Sequence, residues 1–479
     1  MQLESLFIKE YKLLRNCTVV FVPEGGYPNH YYDYFSNNNF TILVGENGNG
    51  KTTLMSFIAR VFNDLQRYHD RISSDFCLKY KIEHNQETKA VKIEKENDNL
   101  FITVENSIPK SVLLELNPQQ GYIIKENQIQ YENKVTYDEI RSFLPTTIIT
   151  SVFSFHGEYP SERPSNFIGD RIIENYDIAK VYGANHYGFS SLSKGISRFI
   201  ETYRNNTDIV NELLSFLNLK FGNKILIRER FTTLPSYGLE IDDDEEFDEI
   251  FSEEDRRLRD EYFSLEKLTE RYSNGDDNWV KVCEENYDLF LRYEKEEIIY
   301  MNDIAFEKNG ELISLENMSS GEKMFFMRIL SLLSSIEDNS LIIIEEPELH
   351  LNPSWNKQII TMLQMLFGNY KVHFLISTHS YAFINTVFPE NILFANQRSF
   401  INPDPNINTF LANEVEISNL FFANSKKINY VENRLWKKVG EGSEDELEEI
   451  LGYLGESYTK FKLFNIMLGK QGNKIDVED

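Results

Sequence analysis

The sequence predicts an α/β fold with an antiparallel β layer and a mainly helical insertion. An apolar strand at residues 40–44 runs into a glycine-rich loop, and apolar residues then recur at helical spacing to about residue 68. From about 76 to 135, short alternating runs between polar turns are typical of an antiparallel sheet. From about 170 to 300 apolar residues return at helical intervals, most regularly from Ile196 to Leu217.

The length of 479 residues suits two or three structural units. Three cysteines, Cys17, Cys77 and Cys283, stand far apart and lack the spacing of metal ligands. This argues against a disulfide framework or a zinc site and favours a reducing compartment. No apolar run approaches the roughly 20 residues of a membrane helix. We expect a cytoplasmic protein and no membrane, although this observation alone does not exclude a subunit that docks on a separate membrane protein.

The charge balance is strongly acidic: 49 basic and 76 acidic residues give a net charge of −27. Such a surface repels nucleic acid unless basic residues are gathered in one place, so direct DNA binding is possible but disfavoured. A dense acidic run opens residues 242–260 and continues into an amphipathic helix. It could serve subunit contact or partner docking, but we favour a solvated helix face or a disordered loop.

The glycine-rich loop at residues 45–53, the phosphate loop below, lies between a buried strand and a helix. Its glycines let successive backbone N–H groups turn toward phosphate oxygens, and the helix N-terminus favours negative charge. Lys51 is placed to reach the β- and γ-phosphates, and the Thr52 hydroxyl to ligate Mg²⁺. A chance glycine turn is the alternative, but the flanking strand and helix disfavour it. The predicted ATP-binding residues are Gly45, Glu46, Asn47, Gly48, Asn49, Gly50, Lys51, Thr52 and Thr53.

Two adjacent carboxylates end a second apolar strand, the acidic strand at residues 341–346. A buried strand here would deliver Glu345 beside the metal, and Glu346 would point at the γ-phosphate as the base that orients water. The alternative is a strand end that exposes both acids to solvent. The next residues, Pro-Glu-Leu-His-Leu-Asn-Pro from 347 to 353, argue against that alternative.

Two further motifs complete an ordered set. The segment Ser-Ser-Gly-Glu at 319–322, the signature segment below, lies between the phosphate loop and the acidic strand, and Ser-Thr-His ends at His379. This order resembles the ABC class of ATPases. The motifs resemble bacterial AAA-labelled, ABC-type ATPases of the RecF/SMC/OLD lineage over residues 1–70, roughly 140–160 and 297–390. The resemblance implies an ABC-type P-loop ATPase head with an antiparallel β layer and a mainly helical insertion.

The resemblance also implies site roles. The signature residues Ser319, Ser320, Gly321 and Glu322 would complete the ATP site of a second subunit, and His379 would sense the γ-phosphate. An ordinary helix cap and a structural histidine are the alternatives. His156, His350 and His373 lack such a context, and we interpret them as structural. For His350, a place in the loop that contacts the second subunit is the alternative.

Two departures from the family pattern put fast hydrolysis in doubt. Glu345 stands where related families usually have Asp, and its extra methylene could displace the metal. The family also has a Gln at the end of the strand after the first helical segment, whereas residues 151–157 contain none. Ser154 and His156 are open as substitutes.

Within this lineage the sequence resembles the stand-alone ATPases of anti-phage systems, nearest to the Septu and retron-associated ATPases (PtuA-like), with the PARIS-type ATPase next. The former pair with an HNH nuclease and the latter with a TOPRIM nuclease. No pattern of either nuclease occurs in the last 90 residues, so a nuclease would be a separate chain. We expect a slow, Mg²⁺-dependent ATPase that assembles through ATP sandwiches and controls such a partner. A RecF/SMC-like DNA-repair ATPase and a non-hydrolysing, ATP-locked scaffold are the alternatives, and a transporter subunit is disfavoured.

The predicted division of the chain has four parts. An N-terminal ATPase lobe spans 1–165, a helical, acidic insertion 166–296, a C-terminal ATPase lobe 297–392, and a mixed, helical partner-binding region 393–479. Residues 304–315 predict a hairpin turning at Asn309 and Gly310. A capping-box pattern at Ser443 predicts a helix that runs past Leu463.

Overall fold

The structure is a computed structural model. It describes residues 1–23, 25–66, 74–113, 115–117, 121–152, 159, 173–177, 189–229, 279–296, 298–349, 351, 353–404, 407–412, 417, 430–441, 443–455 and 458–475. These residues belong to two compact units, one within Met1–Phe421 and the other within Phe422–Asp479.

The strands lie in the first unit. In chain order they are β1 (Gln2–Tyr11), β2 (Leu14–Val20), β3 (Asn39–Val44), β4 (Phe76–His84), β5 (Glu87–Glu96), β6 (Asn99–Val104), β7 (Lys110–Leu113), β8 (Glu115–Asn117), β9 (Gly121–Ile123), β10 (Lys134–Thr136), β11 (Ile148–Val152), β12 (Ile173–Asp177), β13 (Lys220–Glu229), β14 (Trp279–Lys281), β15 (Ile299–Lys308), β16 (Glu311–Ser314), β17 (Leu341–Glu345), β18 (His373–Thr378), β19 (Ile392–Asn396) and β20 (Ser399–Ile401).

The helices occur in both units. They are α1 (Tyr31–Phe35), α2 (Lys51–Gln66), α3 (Tyr137–Ile140), α4 (Phe189–Asn205), α5 (Thr207–Phe216), α6 (Tyr287–Lys295), α7 (Ser320–Ser335), α8 (Pro353–Asn356), α9 (Ile359–Phe367), α10 (Tyr381–Ile384), α11 (Tyr430–Glu441), α12 (Glu444–Tyr453) and α13 (Tyr458–Ile475).

A central sheet positions the candidate site. Its strand order is β12-β11-β17-β18-β3-β19-β20, and its pairings are parallel except for the last. Every residue of β3, β11, β17 and β18 is buried, which fits a parallel sheet covered on both faces. The register pairs Val44 with Thr378 and Glu345 with Ser377. The carboxyl ends of these strands therefore lie side by side, and the core strand predicted near residue 148 is confirmed.

The antiparallel layer predicted from the alternating runs is confirmed and is larger than predicted. Its order is β10-β7-β6-β5-β4-β1-β2, and every pair is antiparallel except β10 with β7, which is parallel. The first two strands of the chain therefore join this layer. Helix α2 packs between this layer and the central sheet: the rings of Tyr11 and Phe57 lie 4.9 Å apart, and those of Phe62 and Tyr80 5.6 Å. Its inward apolar residues are those that set the predicted helical period: Leu54, Phe57, Ile58, Val61, Phe62 and Leu65.

The insertion, predicted to be mainly helical, also contains strands: β13 and β14 belong to a four-stranded sheet of order β14-β13-β15-β16. The helix expected from Ile196 to Leu217 is present as α4 and α5, separated at Asn206. Strand β13 was not predicted; it pairs with β15, about 80 residues later, so local sequence holds little of its signal. The hairpin of β15 and β16 is confirmed, with positive φ at Asn309 (54°) and Gly310 (84°).

The described part of the second unit is helical, with a small core of Val439, Leu447, Leu463 and Met467. The predicted capping box is confirmed, because Ser443 and Glu446 bond reciprocally. The single helix predicted past Leu463 is wrong: α12 ends at Tyr453 and α13 begins at Tyr458. Gly452 and Gly455 lie at the interruption, where their backbone freedom disfavours helix. Among the described residues of the chain, no helix is both long and apolar enough to cross a membrane.

Candidate functional site

The phosphate loop joins β3 to α2 at the carboxyl edge of the central sheet. Gly45, Gly48 and Gly50 adopt φ of 150°, 81° and 89°, a region that side chains disfavour. A Cβ on Gly45 would also lie 2.3 Å from the carbonyl oxygen of Ala395. The loop conformation therefore requires glycine where the sequence has it, and the backbone cradle fits a phosphate group.

Lys51 begins α2 and is almost fully buried. Its Nζ donates to the carbonyl oxygens of Gly45 at 2.7 Å and Glu46 at 3.2 Å, and lies 3.2 Å from His379 Nε2. Burial lowers the pKa of Lys51, and the carboxylates of Glu346, Glu348 and Glu345 oppose that shift. The ammonium can bind an anionic group, and the three carboxylates favour a ligand that is accompanied by a cation.

The acidic strand divides its two carboxylates between different environments. Glu345 ends β17 and is 8 % exposed, and its Oε1 accepts a hydrogen bond of 2.9 Å from the Tyr159 hydroxyl. Glu346 follows with φ 41°, and its N–H donates to Ser377 O at 2.8 Å. The contact with His379 lowers the pKa of Glu346, although burial acts in the opposite direction. The interpretation as a solvent-exposed strand end therefore fails for Glu345.

His379 follows β18 and faces a cation and an anion through one ring nitrogen. Its Nε2 lies 3.2 Å from Lys51 Nζ and 3.4 Å from Glu346 Oε1. An unprotonated Nε2 accepts from Lys51, whereas a protonated Nε2 donates to Glu346, so only one bond forms at a time. The imidazole can therefore change partners when a charge enters between Lys51 and Glu346.

Glu348 anchors this histidine and was absent from the predicted site. Its Oε1 accepts a hydrogen bond of 2.7 Å from the backbone N–H of His379 and one of 2.9 Å from the Thr378 hydroxyl. The carboxylate also acts on Arg328 of α7: burial lowers the pKa of Arg328 to about 10, and Glu348 opposes that shift. The motif Pro-Glu after the acidic strand was the available sequence signal for Glu348, while Tyr159 and Arg328 lie in no motif.

The signature segment starts α7 with a complete capping box. Ser319 Oγ donates to Glu322 Oε2 at 2.6 Å, the Ser319 N–H donates to the same oxygen at 3.1 Å, and Glu322 also pairs with Lys308. Burial tends to raise the pKa of Glu322, but the bonds from Lys308 and Ser319 outweigh it and lower the pKa. Ser319 is therefore the N-cap of α7, and its role at the ATP site of a second subunit stays a prediction. Ser319 and Ser320 remain exposed at the N-terminus of a 16-residue helix.

The structure brings part of the predicted site together. The phosphate loop, Glu346 and His379 meet at one edge of the central sheet, with Glu345 beside them. Within the described chain, the hydrogen bonds that involve the side chains of Ser319 and Glu322 stay inside residues 308–322, and none of them reaches that cluster. Ser154, His156, His350 and the acidic run at 242–260 lie outside the described residues.

His373 has the structural place expected for it. Its ring is fully buried, with Nδ1 accepting from the Leu3 N–H at 2.9 Å and Nε2 at 2.9 Å from the Thr41 hydroxyl. Because a backbone N–H can only donate, the proton of the neutral ring is on Nε2. Burial lowers the pKa of His373 to about 3, so the ring links β18, β1 and β3 in its neutral form.

The parallel sheet, phosphate loop and acidic strand define an ABC-type P-loop ATPase fold. The family model of the AAA ATPase domain (AAA_15) matches residues 1–384, and the chain belongs to that family. The chain is 24 % identical over 389 residues to the retron Vc95 probable ATPase of Vibrio cholerae serotype O1 biovar El Tor, covering 76 % of this chain and 70 % of that protein. It is 32 % identical over 113 residues to the retron Ec83 probable ATPase of Escherichia coli, covering 21 % and 20 %.

Solved structures of lower similarity include SMC heads. The Smc head bound to the C-winged helix domain of ScpA has a TM-score of 0.39 at 11 % identity, covering 85 % of this chain and 98 % of that one. The SMC head domain from Thermotoga maritima has a TM-score of 0.35 at 12 % identity, covering 84 % and 100 %.

The residues present fit a nucleotide with its metal. The glycine cradle and Lys51 suit a triphosphate, and the Thr52 hydroxyl and the Glu345 carboxylate are the oxygen ligands that Mg²⁺ prefers. The arrangement can therefore bind a nucleotide, and Glu346 and His379 lie at the same edge of the sheet as Lys51.

Proposed function

We propose that two copies of this protein bind ATP between them, each site using the phosphate loop of one copy and the signature segment of the other. The exposure of Ser319 and Ser320 at the start of α7 carries this proposal. A helix N-terminus offers unpaired N–H groups and favours negative charge. Within one copy the Glu322 carboxylate accepts the Ser319 N–H, and a triphosphate on the phosphate loop of a second copy would supply a further anion for this helix start.

The residues also suggest how hydrolysis proceeds. Lys51 exchanges the carbonyls of Gly45 and Glu46 for phosphate oxygens, and His379 is released from its contact with Lys51. Glu346, whose lowered pKa keeps it ionised, accepts a proton from the attacking water. Bound Mg²⁺ would neutralise charge on the β- and γ-phosphates. The Glu345 side chain in place of Asp favours slow turnover.

Light scattering with and without ATP tests the assembly. We expect the wild type to double its mass with Mg²⁺ and ATP, and Ser319→Arg to remain monomeric because a bulky cation covers the helix N-terminus. Lys323→Arg, one turn along α7, is the matched control and should still assemble. A monomeric wild type at saturating ATP, or assembly of Ser319→Arg with wild-type affinity, would overturn the proposal.

We further propose that this assembly controls a separate nuclease chain in anti-phage defence. The relative named retron Vc95 probable ATPase supports this context. An HNH nuclease is our first choice of partner and a TOPRIM nuclease the second. Co-purification with the products of neighbouring genes should recover a nuclease, and phage plating should lose protection when Lys51 is replaced by Ala. Recovery of no nuclease would contradict this part.

Two other functions compete with this one. Direct action on DNA, as in DNA repair, is disfavoured by the net charge of −27, and salt-sensitive DNA binding by the isolated protein would favour it. A scaffold that holds ATP without hydrolysis is consistent with Glu345. Equal, near-zero turnover by the wild type and Glu346→Gln would support the scaffold.

A further inference from the structure

The buried hydrogen bond from Tyr159 to Glu345 has no counterpart among the predicted site residues. Tyr159 lies in the segment after β11, 4 % exposed, and its hydroxyl donates to Glu345 Oε1 at 2.9 Å. The contact joins residues 186 positions apart. Because the hydroxyl lies within the interior, the bond is protected from competing water.

The side chain of Glu345 needs such a support. A glutamate has one more rotatable bond than an aspartate, so its carboxylate can occupy more positions around a metal. Tyrosine has two side-chain torsions, and the Tyr159 ring packs in the same hydrophobic core as Val152 and Ile343. The core therefore fixes the hydroxyl, and the hydroxyl in turn restricts the carboxylate.

We propose that Tyr159 is a positioning residue that holds the longer carboxylate of Glu345 in the orientation needed to bind the divalent cation. This role rests on the proposed Mg²⁺·ATP site. It accounts for a glutamate at this position, because the tyrosine removes the extra freedom that the additional methylene introduces. It also gives the segment after β11 a contact to the metal side of the site although residues 151–157 contain no Gln.

The test is the affinity of the ATP-bound protein for the cation, measured by titration with Mn²⁺ followed by electron paramagnetic resonance. Tyr159→Phe keeps the ring and removes the hydroxyl. Loss of a hydrogen bond to a charged group should weaken Mn²⁺ binding about tenfold. ATP binding in the presence of a chelator should stay unchanged, since the phosphate loop is untouched.

Two further variants separate positioning from general damage. Tyr80→Phe also removes a buried hydroxyl, which donates to Phe143 O at 2.8 Å, and should leave Mn²⁺ affinity unchanged. In a Glu345→Asp background, Tyr159→Phe should cause no further loss, because the shorter carboxylate does not reach the hydroxyl. Wild-type Mn²⁺ affinity in Tyr159→Phe, or an equal loss in Tyr80→Phe, would overturn the role of Tyr159 alone. A wild type that binds neither ATP nor Mn²⁺ would overturn the proposed function and this role together.

Discussion

The phosphate loop and the signature segment differ in the contacts that their residues make within one chain. At the phosphate loop, Lys51 already bonds two carbonyls and lies between Glu346 and His379. At the signature segment, Ser319 caps its own helix and faces solvent. The first region is a site that a ligand must rearrange, and the second is a preformed anion-binding end. This difference is the basis for proposing that each ATP site is shared between two copies.

Glu348 links His379 electrostatically to α7, the helix that begins at the signature segment, and its replacement should have the largest effect. Glu348→Gln keeps an acceptor for His379 and Thr378 but removes the charge that acts on buried Arg328. Removing a charge that stabilises a buried guanidinium should cost about 3 kcal/mol, which denaturant unfolding should show as a loss of stability. Exposed Glu316→Gln is the control. A loss of stability below about 0.5 kcal/mol would show that Glu348 does not stabilise the buried Arg328.

Glu346 tests the chemistry on the phosphate side alone. Glu346→Gln keeps the shape and removes the base, so steady-state turnover should fall about hundredfold while ATP still binds. Light scattering should then show a longer-lived ATP-bound dimer, because assembly depends on the signature segment. If turnover is unchanged, Glu346 is not the base.

The two histidines of the β18 region differ in their contacts: His373 is fixed by two buried hydrogen bonds, whereas His379 has two alternative partners. Since folding lowers the pKa of His373 from about 6.5 to about 3, its contribution is complete above pH 6.5 and is lost as pH falls toward 3. Between pH 7 and 5 the wild type should lose about 2 kcal/mol of unfolding free energy through this group.

The variant His373→Asn keeps an acceptor for the Leu3 N–H and cannot titrate. The variant should be less stable than the wild type at pH 7. Because it cannot titrate, its free energy of unfolding should fall less as the pH is lowered, and urea unfolding at each pH measures this. Parallel pH profiles for the two proteins would show that His373 does not titrate between the folded and unfolded states.

The signature cap should have the smallest effect on folding. Ser319→Ala removes the two hydrogen bonds between the Ser319 hydroxyl and Glu322 and should cost about 1 kcal/mol in thermal unfolding. Its ATP affinity as a monomer should match the wild type, because the phosphate loop is separate. Weaker monomeric ATP binding would mean that the signature segment acts within its own chain.

Sequence reasoning succeeded where local pattern determines structure. The phosphate loop, the acidic strand and His379 follow apolar strands that must be buried, and parallel packing then brings their ends together. The central sheet confirms the fold class and the family model confirms an ATPase domain, whereas the Septu and retron-associated (PtuA-like) assignment stays a prediction. The roles of individual site residues, the oligomer and the domain boundaries stay predictions.

The contacts that were missed join distant parts of the chain. Tyr159 meets Glu345 across 186 positions, and β13 finds its partner in β15 through tertiary pairing. Neither has a periodic or motif signal, because the information lies in which side chains the fold brings together. The helix break near residue 455 did have a sequence signal, because Gly452 and Gly455 both disfavour helix.

The most direct test of the shared site mixes two inactive variants. Lys51→Ala lacks a working phosphate loop and Ser319→Arg lacks a working signature segment, so each alone should neither trap ATP nor dimerise. In a mixed dimer, the loop of the Ser319→Arg copy meets the intact signature of the Lys51→Ala copy, which restores one of two sites. Native mass spectrometry of the mixture should therefore show dimers holding one ATP. A mixture that yields only monomers, while the wild type dimerises with ATP, would contradict a site shared between copies.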